Sequence, residues 1–564
     1  MWFIWYKYQI IRGAQEFGRR LYSEKEVGNR FKYFRILTVM GGLFMAKKKD
    51  WYQPKGYLHI TPRLNWGTDR ERLTELIKNP KWVERHAFFP LLHKKIFQRR
   101  YKIIGSDSLT GKTIRGHSTK DSNGKTKPSK KPRPIHYATH IDSQIYSYYT
   151  KNILQPKYES LLNADFELNN SIIAYRQIPI EGSLGHKGNI HFAKEVFDQI
   201  RKRTNCVAMA FDIENFFSSL NHRKLKLAWA ALLGHKSLPK DHYNLYKSIT
   251  KFSYIDISQF RKKHSGFDEK RLSEIRKKGI HSFFESVEEF RTLIHEGKIR
   301  IQKNQYKNKK TKKLQGIPQG LTISALLANI YLLEFDRLIV EKVVKDWGGM
   351  YRRYSDDIVI IGPLERADDI KFLVFEAIKK SGLVISEEKT EICRFEKNSK
   401  GYLDCYGSLG PRSERKNMPF CYLGFEFDGK NVLIKAKNLS KFYRRMKESV
   451  KSKARQIENV QRKTPNESHT IYYRKLYRTY TMKGAKKKIL SGTSSILKYD
   501  HLKGEYYLAS HITKRKYWGN TLGYAKRASE IMGEESIIRQ FRNHRKILKK
   551  TMSKHLPLGR SNMH

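Results

Sequence analysis

Three carboxylates define the chemistry this sequence could do. Asp356 and Asp357 are adjacent in Tyr354-Ser355-Asp356-Asp357, between Met350-Tyr351-Arg352-Arg353 and the β-branched run Ile358-Val359-Ile360-Ile361. The pattern predicts a β-hairpin with Asp-Asp at its tip. Taken alone, such a pair is most simply a solvated turn, because Asp suits turns. The flanks are more apolar than an exposed turn needs, and neighbouring carboxylates repel unless a cation lies between them. Asp212 is the third carboxylate. It ends the uncharged run Val207-Ala208-Met209-Ala210-Phe211, which reads as a buried strand. A carboxylate there is costly unless it is paired or metal-bound, or caps the helix that follows; Ser219 or Asn221 would serve better as that cap. Phosphoryl transfer to a hydroxyl uses such a set, with carboxylates on neighbouring strands holding two divalent ions ~4 Å apart. Mg²⁺ suits these sites because it keeps waters and shares phosphate oxygens with the substrate.

Other elements must position these groups. Gly316-Ile317-Pro318-Gln319-Gly320 is a Gly/Pro turn opening a long apolar helix over residues 325–340. Such a helix start offers free N–H groups, and glycine lets a ligand approach the backbone. Helical spacing recurs at 70–78, 140–154, 189–201 and 367–381, with a short strand at 172–179. Tyr422-Leu423-Gly424-Phe425 leads into a hairpin closed by Asp428-Gly429. Residues 105–134 read as a flexible basic loop touching phosphates. Its Gly105–Thr113 stretch imitates a phosphate loop, but five residues separate Gly105 from Gly111 where four are needed. Residues 234–313 are long, charged and partly helical, and end in a basic loop. From 435 onward the chain is basic and mostly helical, with Tyr and Arg interleaved over 472–480, where tyrosines could stack on bases or face a core.

Composition narrows the partner. The 564 residues hold 113 Lys+Arg against 54 Asp+Glu, a formal charge of +59. That excess calls for a polyanion. It is spread along the chain and not gathered on one amphipathic helix, so nucleic acid is expected and a membrane surface is not. No run approaches the ~18 apolar residues of a membrane span. Four cysteines without a Cys-x-x-Cys pair argue against zinc and suit a reducing, cytoplasmic location. Residues 1–44 form an appendage, and Met40 or Met45 could replace Met1 as the start.

Phe211-Asp212-Ile213-Glu214-Asn215-Phe216-Phe217, Gly316 to Gly320, Tyr354 to Asp357, Gly382 to Lys389-Thr390, and Tyr422-Leu423-Gly424 resemble, in order, motifs A to E of reverse transcriptases. Arg133-Pro134-Ile135 and Tyr175-Arg176 resemble the fingers motifs, so the likeness spans about 130–435. It implies an α+β right-hand polymerase with an antiparallel palm sheet and a basic α-helical C-terminal region. Fingers and N-terminal region would occupy 45–205, palm 206–430 with an insertion at about 234–313, and thumb with helical region 431–564. It implies an RNA-directed DNA polymerase using two Mg²⁺ ions, for which Mn²⁺ can substitute. Asp212, Asp356 and Asp357 would be catalytic metal ligands, with the Ile213 carbonyl assisting. Lys389 would be the general acid. Arg176, Phe217, Gln319, Gly320 and Tyr354 would bind the nucleotide, Phe217 as the gate that excludes a 2′-hydroxyl. Tyr422, Leu423, Gly424 and Phe425 would grip the primer.

The partners implied are dNTPs, a DNA product and template RNA, a structured non-coding RNA above all; a homo-oligomer stays open. Asp500 is the only aspartate after Asp428, which disfavours an RNase H domain. The long A–B segment and basic C-terminus most resemble bacterial abortive-infection and other defence-associated reverse transcriptases, some of which make untemplated DNA. An intron or mobile-element enzyme is the alternative. An RNA-binding scaffold with a vestigial polymerase site is the alternative of another class.

Overall fold

A computed structural model describes residues 50–64, 68–99, 102–106, 113–120, 124, 126–183, 185–261, 267–308, 310–465, 473–486, 488–500, 505–517 and 519–556. The N-terminal appendage, Gly111 and Tyr472 lie outside them. The chain divides into two compact units. One joins Met1–Asp50 to Pro179–His186, whose described part is a turn closed by a Pro179–His186 bridge. The other, Trp51–Ile178 with Lys187–His564, holds everything that follows.

Its centre is a six-stranded sheet ordered Met350–Tyr354, Asp357–Gly362, Cys206–Asp212, Glu391–Lys397, Leu403–Leu409, Arg415–Lys416, with every neighbouring pair antiparallel. The second and third strands, Asp357–Gly362 and Cys206–Asp212, are apolar apart from their terminal Asp357 and Asp212 because both faces are covered. Val207, Met209, Phe211, Ile358 and Ile360 join a core with Ile323, Leu327, Ile370 and Val374. Cys206, Ala208, Val359 and Ile361 join a second core, with Ile190, Ala193, Val196, Phe197 and Ile200 of the helix Asn189–Arg203. This is the period-two alternation of a strand sandwiched between helices.

The hairpin forms where expected, but its tip is one residue earlier. Ser355 and Asp356 make the turn, while Asp357 already pairs with Tyr354 in the ladder. Ser355 has φ +64, the left-handed backbone a two-residue hairpin turn needs. The long apolar helix is broken at Leu332 into Thr322–Tyr331 and Leu333–Ile339.

One other expectation is corrected and two are extended. Residues 105–134 are not simply a flexible loop: Lys102–Ser106 pairs with Thr113–Gly116, Ser118–Lys120 with Thr126–Pro128, and Lys130–Tyr137 with Leu91–Arg99. The described residues of 234–313 are partly helical, as expected, in Lys240–Thr250, Glu269–Lys277 and Val287–His295, and they also enter a sheet. Ser253–Asp256 pairs in parallel with Leu91–Arg99, completing a four-stranded sheet with Lys130–Tyr137 and Gln302–Lys303. Ile255, Leu272, Phe283, Phe284 and Phe290 then close a third core over Ile60 and Leu92. Finally, the described C-terminal region is mostly helical, as expected, but also carries strands. Beside the 28-residue helix Ala436–Lys463, the strands Lys488–Asp500 and Glu505–Tyr517 form an antiparallel ribbon of 13 residue pairs. No helix among the described residues is long and apolar enough to cross a membrane.

Candidate active site

Strand register brings the carboxylates together. Asp357 is the direct partner of Asp212 across the second and third strands of the sheet, and Asp356 stands at the adjoining turn. Backbone bonds fix the strand end: Ile213 N donates to the Asp356 carbonyl (3.2 Å), Glu214 N to Val384 (2.8 Å), and Ser386 N to the Asp212 carbonyl (2.8 Å). Asp212 therefore caps no helix; Asn221 does that for His222–Leu233, accepting from Lys224 N at 3.1 Å. Anchoring residues 384–386 beside the strand end also delivers Lys389, whose ammonium pairs with the Asp212 carboxylate.

The three carboxylates crowd one another. Burial, and then the charge of Asp212, push the Asp356 carboxyl above its ordinary range. Burial, then the charges of Asp356 and Asp212, push Asp357 up to about 7. Lys389 and Lys435 relieve Asp357, and Arg133 relieves Asp356. Such a cluster is short of positive charge. Among the described residues no three His, Cys, Asp or Glu side chains form a ready-made metal cage, and Asp212 is turned onto Lys389. An incomplete, all-oxygen donor set with a lysine standing in for a cation fits Mg²⁺, which takes few protein ligands and completes its shell with water and phosphate.

The glycine-rich turn is pressed onto this loop. Gly316 N donates to the Leu220 carbonyl (2.7 Å) and Ile317 N to the Phe217 carbonyl (2.8 Å). Gly316, at φ +77, leaves no space for a side chain: a Cβ would lie 2.6 Å from the Ser218 carbonyl oxygen. At the other end, Gly320 (φ +118) abuts the His136 carbonyl, and His136 N donates to the Gln319 carbonyl (2.8 Å). Phe217 and Gln319, both half-buried, are thus held on facing backbones. Tyr354 is also half-buried, with burial first and then Tyr175 and Asp357 raising its phenol. Tyr422 is buried beside Asp357, and its hydroxyl has no hydrogen-bond partner among the described residues. Leu423 and Gly424 form the tight tip between Phe420–Tyr422 and Phe425–Phe427, both at positive φ.

Arg176 does not join the site. Its guanidinium forks onto Glu159 (Nε to Oε2 3.0 Å, Nη2 to Oε2 2.6 Å) and also donates to the Asn169 and Ile172 carbonyls (2.7 Å each) and to the Asn169 side chain. Its side chain is 5% exposed, so no donor is left to meet a phosphate. Arg133, exposed on the strand Lys130–Tyr137 and bonded at Nε to Gln98 (2.9 Å), is the cation that acts on Asp356 from that side. Of the interleaved tyrosines, Tyr480 is buried and donates to the Arg445 carbonyl (3.0 Å). It faces a core and cannot stack on a base. The sequence reading also missed Arg353 and Asp336, a fully buried ion pair beneath the hairpin. A charge in a strand otherwise reading as buried was the available signal.

Antiparallel strands carrying three converging carboxylates, beside a glycine turn and a buried aromatic hairpin, define the palm of a nucleic-acid polymerase. The sequence profile described as "Reverse transcriptase (RNA-dependent DNA polymerase)" matches residues 125–427, more than half of the chain. The chain belongs to the reverse transcriptase family. Similar solved structures include apo telomerase from Candida tropicalis truncated from its C-terminal domain, at 12% identity over 66% of this chain and 61% of that one, TM-score 0.32. Telomerase from Candida albicans with a TWJ fragment of telomeric RNA is another, at 10% identity over 68% and 54%, TM-score 0.29. This chain therefore spans less than two thirds of either structure's length. No curated protein matches it.

Proposed function

We propose that this chain is an RNA-directed DNA polymerase that extends a primer hydroxyl with dNTPs. The observation that carries the reading is the pairing of Asp357 with Asp212 beside Asp356, three carboxylates whose mutual repulsion a bound cation would relieve. Asp212, Asp356 and Asp357, assisted by the Ile213 carbonyl, would hold two Mg²⁺ ions, with Mn²⁺ as a substitute. When bound, the ions supply activation of the primer hydroxyl and neutralisation of the leaving phosphates. The primer hydroxyl gives up its proton to solvent water as the bond from its oxygen to the α-phosphorus forms and the bond to the pyrophosphate oxygen breaks. Lys389 leaves Asp212 and protonates the departing pyrophosphate. Arg133 takes the triphosphate role expected of Arg176. Phe217 lies under the sugar and rejects a 2′-hydroxyl, Gln319, Gly320 and Tyr354 line the nucleotide pocket, and Tyr422 to Phe425 grip the primer.

Fingers, palm and thumb are assigned to 45–205, 206–430 and 431–564, with residues 253–303 extending the fingers sheet. The finer reading is a defence-associated enzyme copying a structured companion RNA, or making untemplated DNA. It is supported by the long segment between Asp212 and Gly316 and by the +59 charge. Labelled-dNTP incorporation by the purified chain, on RNA and on DNA templates, tests the activity; synthesis only on DNA would contradict RNA direction. Sequencing the nucleic acid that co-purifies tests the finer reading. One dominant structured RNA is expected, and a random sample of cellular RNA would oppose it.

A further inference from the structure

The catalytic turn rests on a charged network that has no contact with solvent. Arg353 and Asp336 are each 0% exposed. Arg353 Nε donates to Asp336 Oδ1 (2.7 Å) and Nη2 to Oδ2 (2.6 Å), a two-pronged pair. The Tyr351 hydroxyl donates to the same Oδ1 at 2.6 Å. The remaining nitrogen, Nη1, points at the turn and donates to the Ser355 carbonyl (3.3 Å) and to Asn329 Oδ1 (3.0 Å). Asn329 in turn donates to the Ala174 carbonyl (3.0 Å), and Ile173 N donates to the Arg353 carbonyl (3.1 Å). From the exposed side, the Tyr175 hydroxyl donates to Ser355 Oγ at 3.1 Å. Two helices, the strand before the turn and residues 173–175 thus meet under one peptide.

That peptide joins Ser355 to Asp356, so fixing the Ser355 carbonyl fixes the root of the Asp356 side chain. Ser355 also holds a left-handed backbone that a serine does not prefer. A buried ion pair generally adds little stability over an apolar pair of the same shape. What this one supplies is direction, because a planar guanidinium locked by a carboxylate fixes where its two Nη1 N–H groups point, one at the Ser355 carbonyl and one at Asn329.

We propose that Arg353 is a positioning residue of the catalytic turn. Asp336 anchors it, and Asn329 ties it to residues 173–174, so that the height of Asp356 over Asp212 is set from below and coupled to the fingers segment. This rests on the polymerase reading above.

The test compares the wild-type protein with Arg353→Met/Asp336→Leu, which replaces the pair by apolar side chains, and with Asn329→Leu, which keeps the pair but cuts the link to Ala174. Thermal melting and single-dNTP incorporation are measured well below the melting temperature. The double variant should stay folded, with kcat lowered on the order of 100-fold, as for a misplacement near 1 Å, and KM for dNTP unchanged. Asn329→Leu should lower kcat by roughly 10-fold, again without a change in KM, as a smaller displacement of the same kind. If the double variant fails to fold, Asn329→Leu decides the matter. Wild-type kcat in either folded variant overturns the inference alone. Absence of dNTP incorporation by the wild-type protein sinks the polymerase reading and this inference with it.

Discussion

Gly316 is where the glycine turn and the Asp212 loop come closest, and Gly316→Ala measures how much the site depends on that approach. The substitution meets two penalties. At φ +77 an L-residue pays roughly 1–2 kcal/mol for the left-handed backbone. The new Cβ would also lie 2.6, 2.7 and 2.8 Å from the carbonyl oxygen, carbonyl carbon and Cα of Ser218, main-chain atoms that cannot rotate away. Overpacking of that kind costs roughly 1–3 kcal/mol, for a total of about 2–5 kcal/mol. Restoring an ordinary C···O spacing of ~3.3 Å moves the Ser218 backbone by roughly 0.7 Å. Phe217 moves with it, because its carbonyl accepts from Ile317 N in the same turn. Displacement approaching 1 Å near the reacting atoms costs up to about 100-fold, so kcat/KM for dNTP should fall on the order of 10- to 100-fold. Urea denaturation and single-nucleotide extension read the two effects. Gly297→Ala is the control: its φ is +70, but no atom lies within 4 Å of a Cβ there, so it carries the backbone penalty alone and leaves extension intact. A Gly316→Ala protein with the wild-type urea midpoint and wild-type extension would refute the packing argument.

Asp357 makes stability depend on pH in a stated direction. Its folded-state pKa is raised, so its contribution is complete below the ordinary carboxyl range near 4 and is lost as pH rises to about 7. Asp357→Asn should flatten that part of the melting curve of metal-free protein, and Mg²⁺ should stabilise the wild type more at pH 8 than at pH 6; equal stabilisation at both would contradict the carboxylate cluster as the metal site. Phe217→Ala should raise ribonucleotide incorporation by roughly 10-fold or more, as loss of a steric discriminator does; unchanged exclusion removes Phe217 as the gate. Arg176→Met should cost about 1.5–3 kcal/mol, the range for hydrogen bonds to charged groups, and leave KM for dNTP unchanged. A raised KM with unaltered melting would return Arg176 to the phosphates.

The centre of the fold was legible because its strands are short apolar runs punctuated by carboxylates. Val207 to Asp212 and Ile358 to Ile361 announce buried strands, and the motif order places them side by side. The hairpin tip was misread by one residue because nothing in a serine announces positive φ. The fate of Arg176 was hidden because its partner Glu159 comes from a helix 17 residues away. The parallel pairing of Leu91 with Tyr254 joins strands more than 160 residues apart, and the Ser253–Asp256 strand is only four residues long; local pattern carries no trace of such a partner. The ribbon Lys488–Tyr517 escaped for another reason. Its Lys, Ser and Thr content lacks the clean alternation that separates a half-buried strand from a basic helix.

The central claim is that Asp356 and Asp357, with Asp212, carry nucleotide transfer. Its most direct test is incorporation of labelled dNTP on an RNA template by purified wild-type protein and by Asp356→Ala/Asp357→Ala, with melting curves to establish that both are folded. Synthesis by the wild type and none by the variant is the expected result. A folded variant that still synthesises DNA at the wild-type rate would contradict the account.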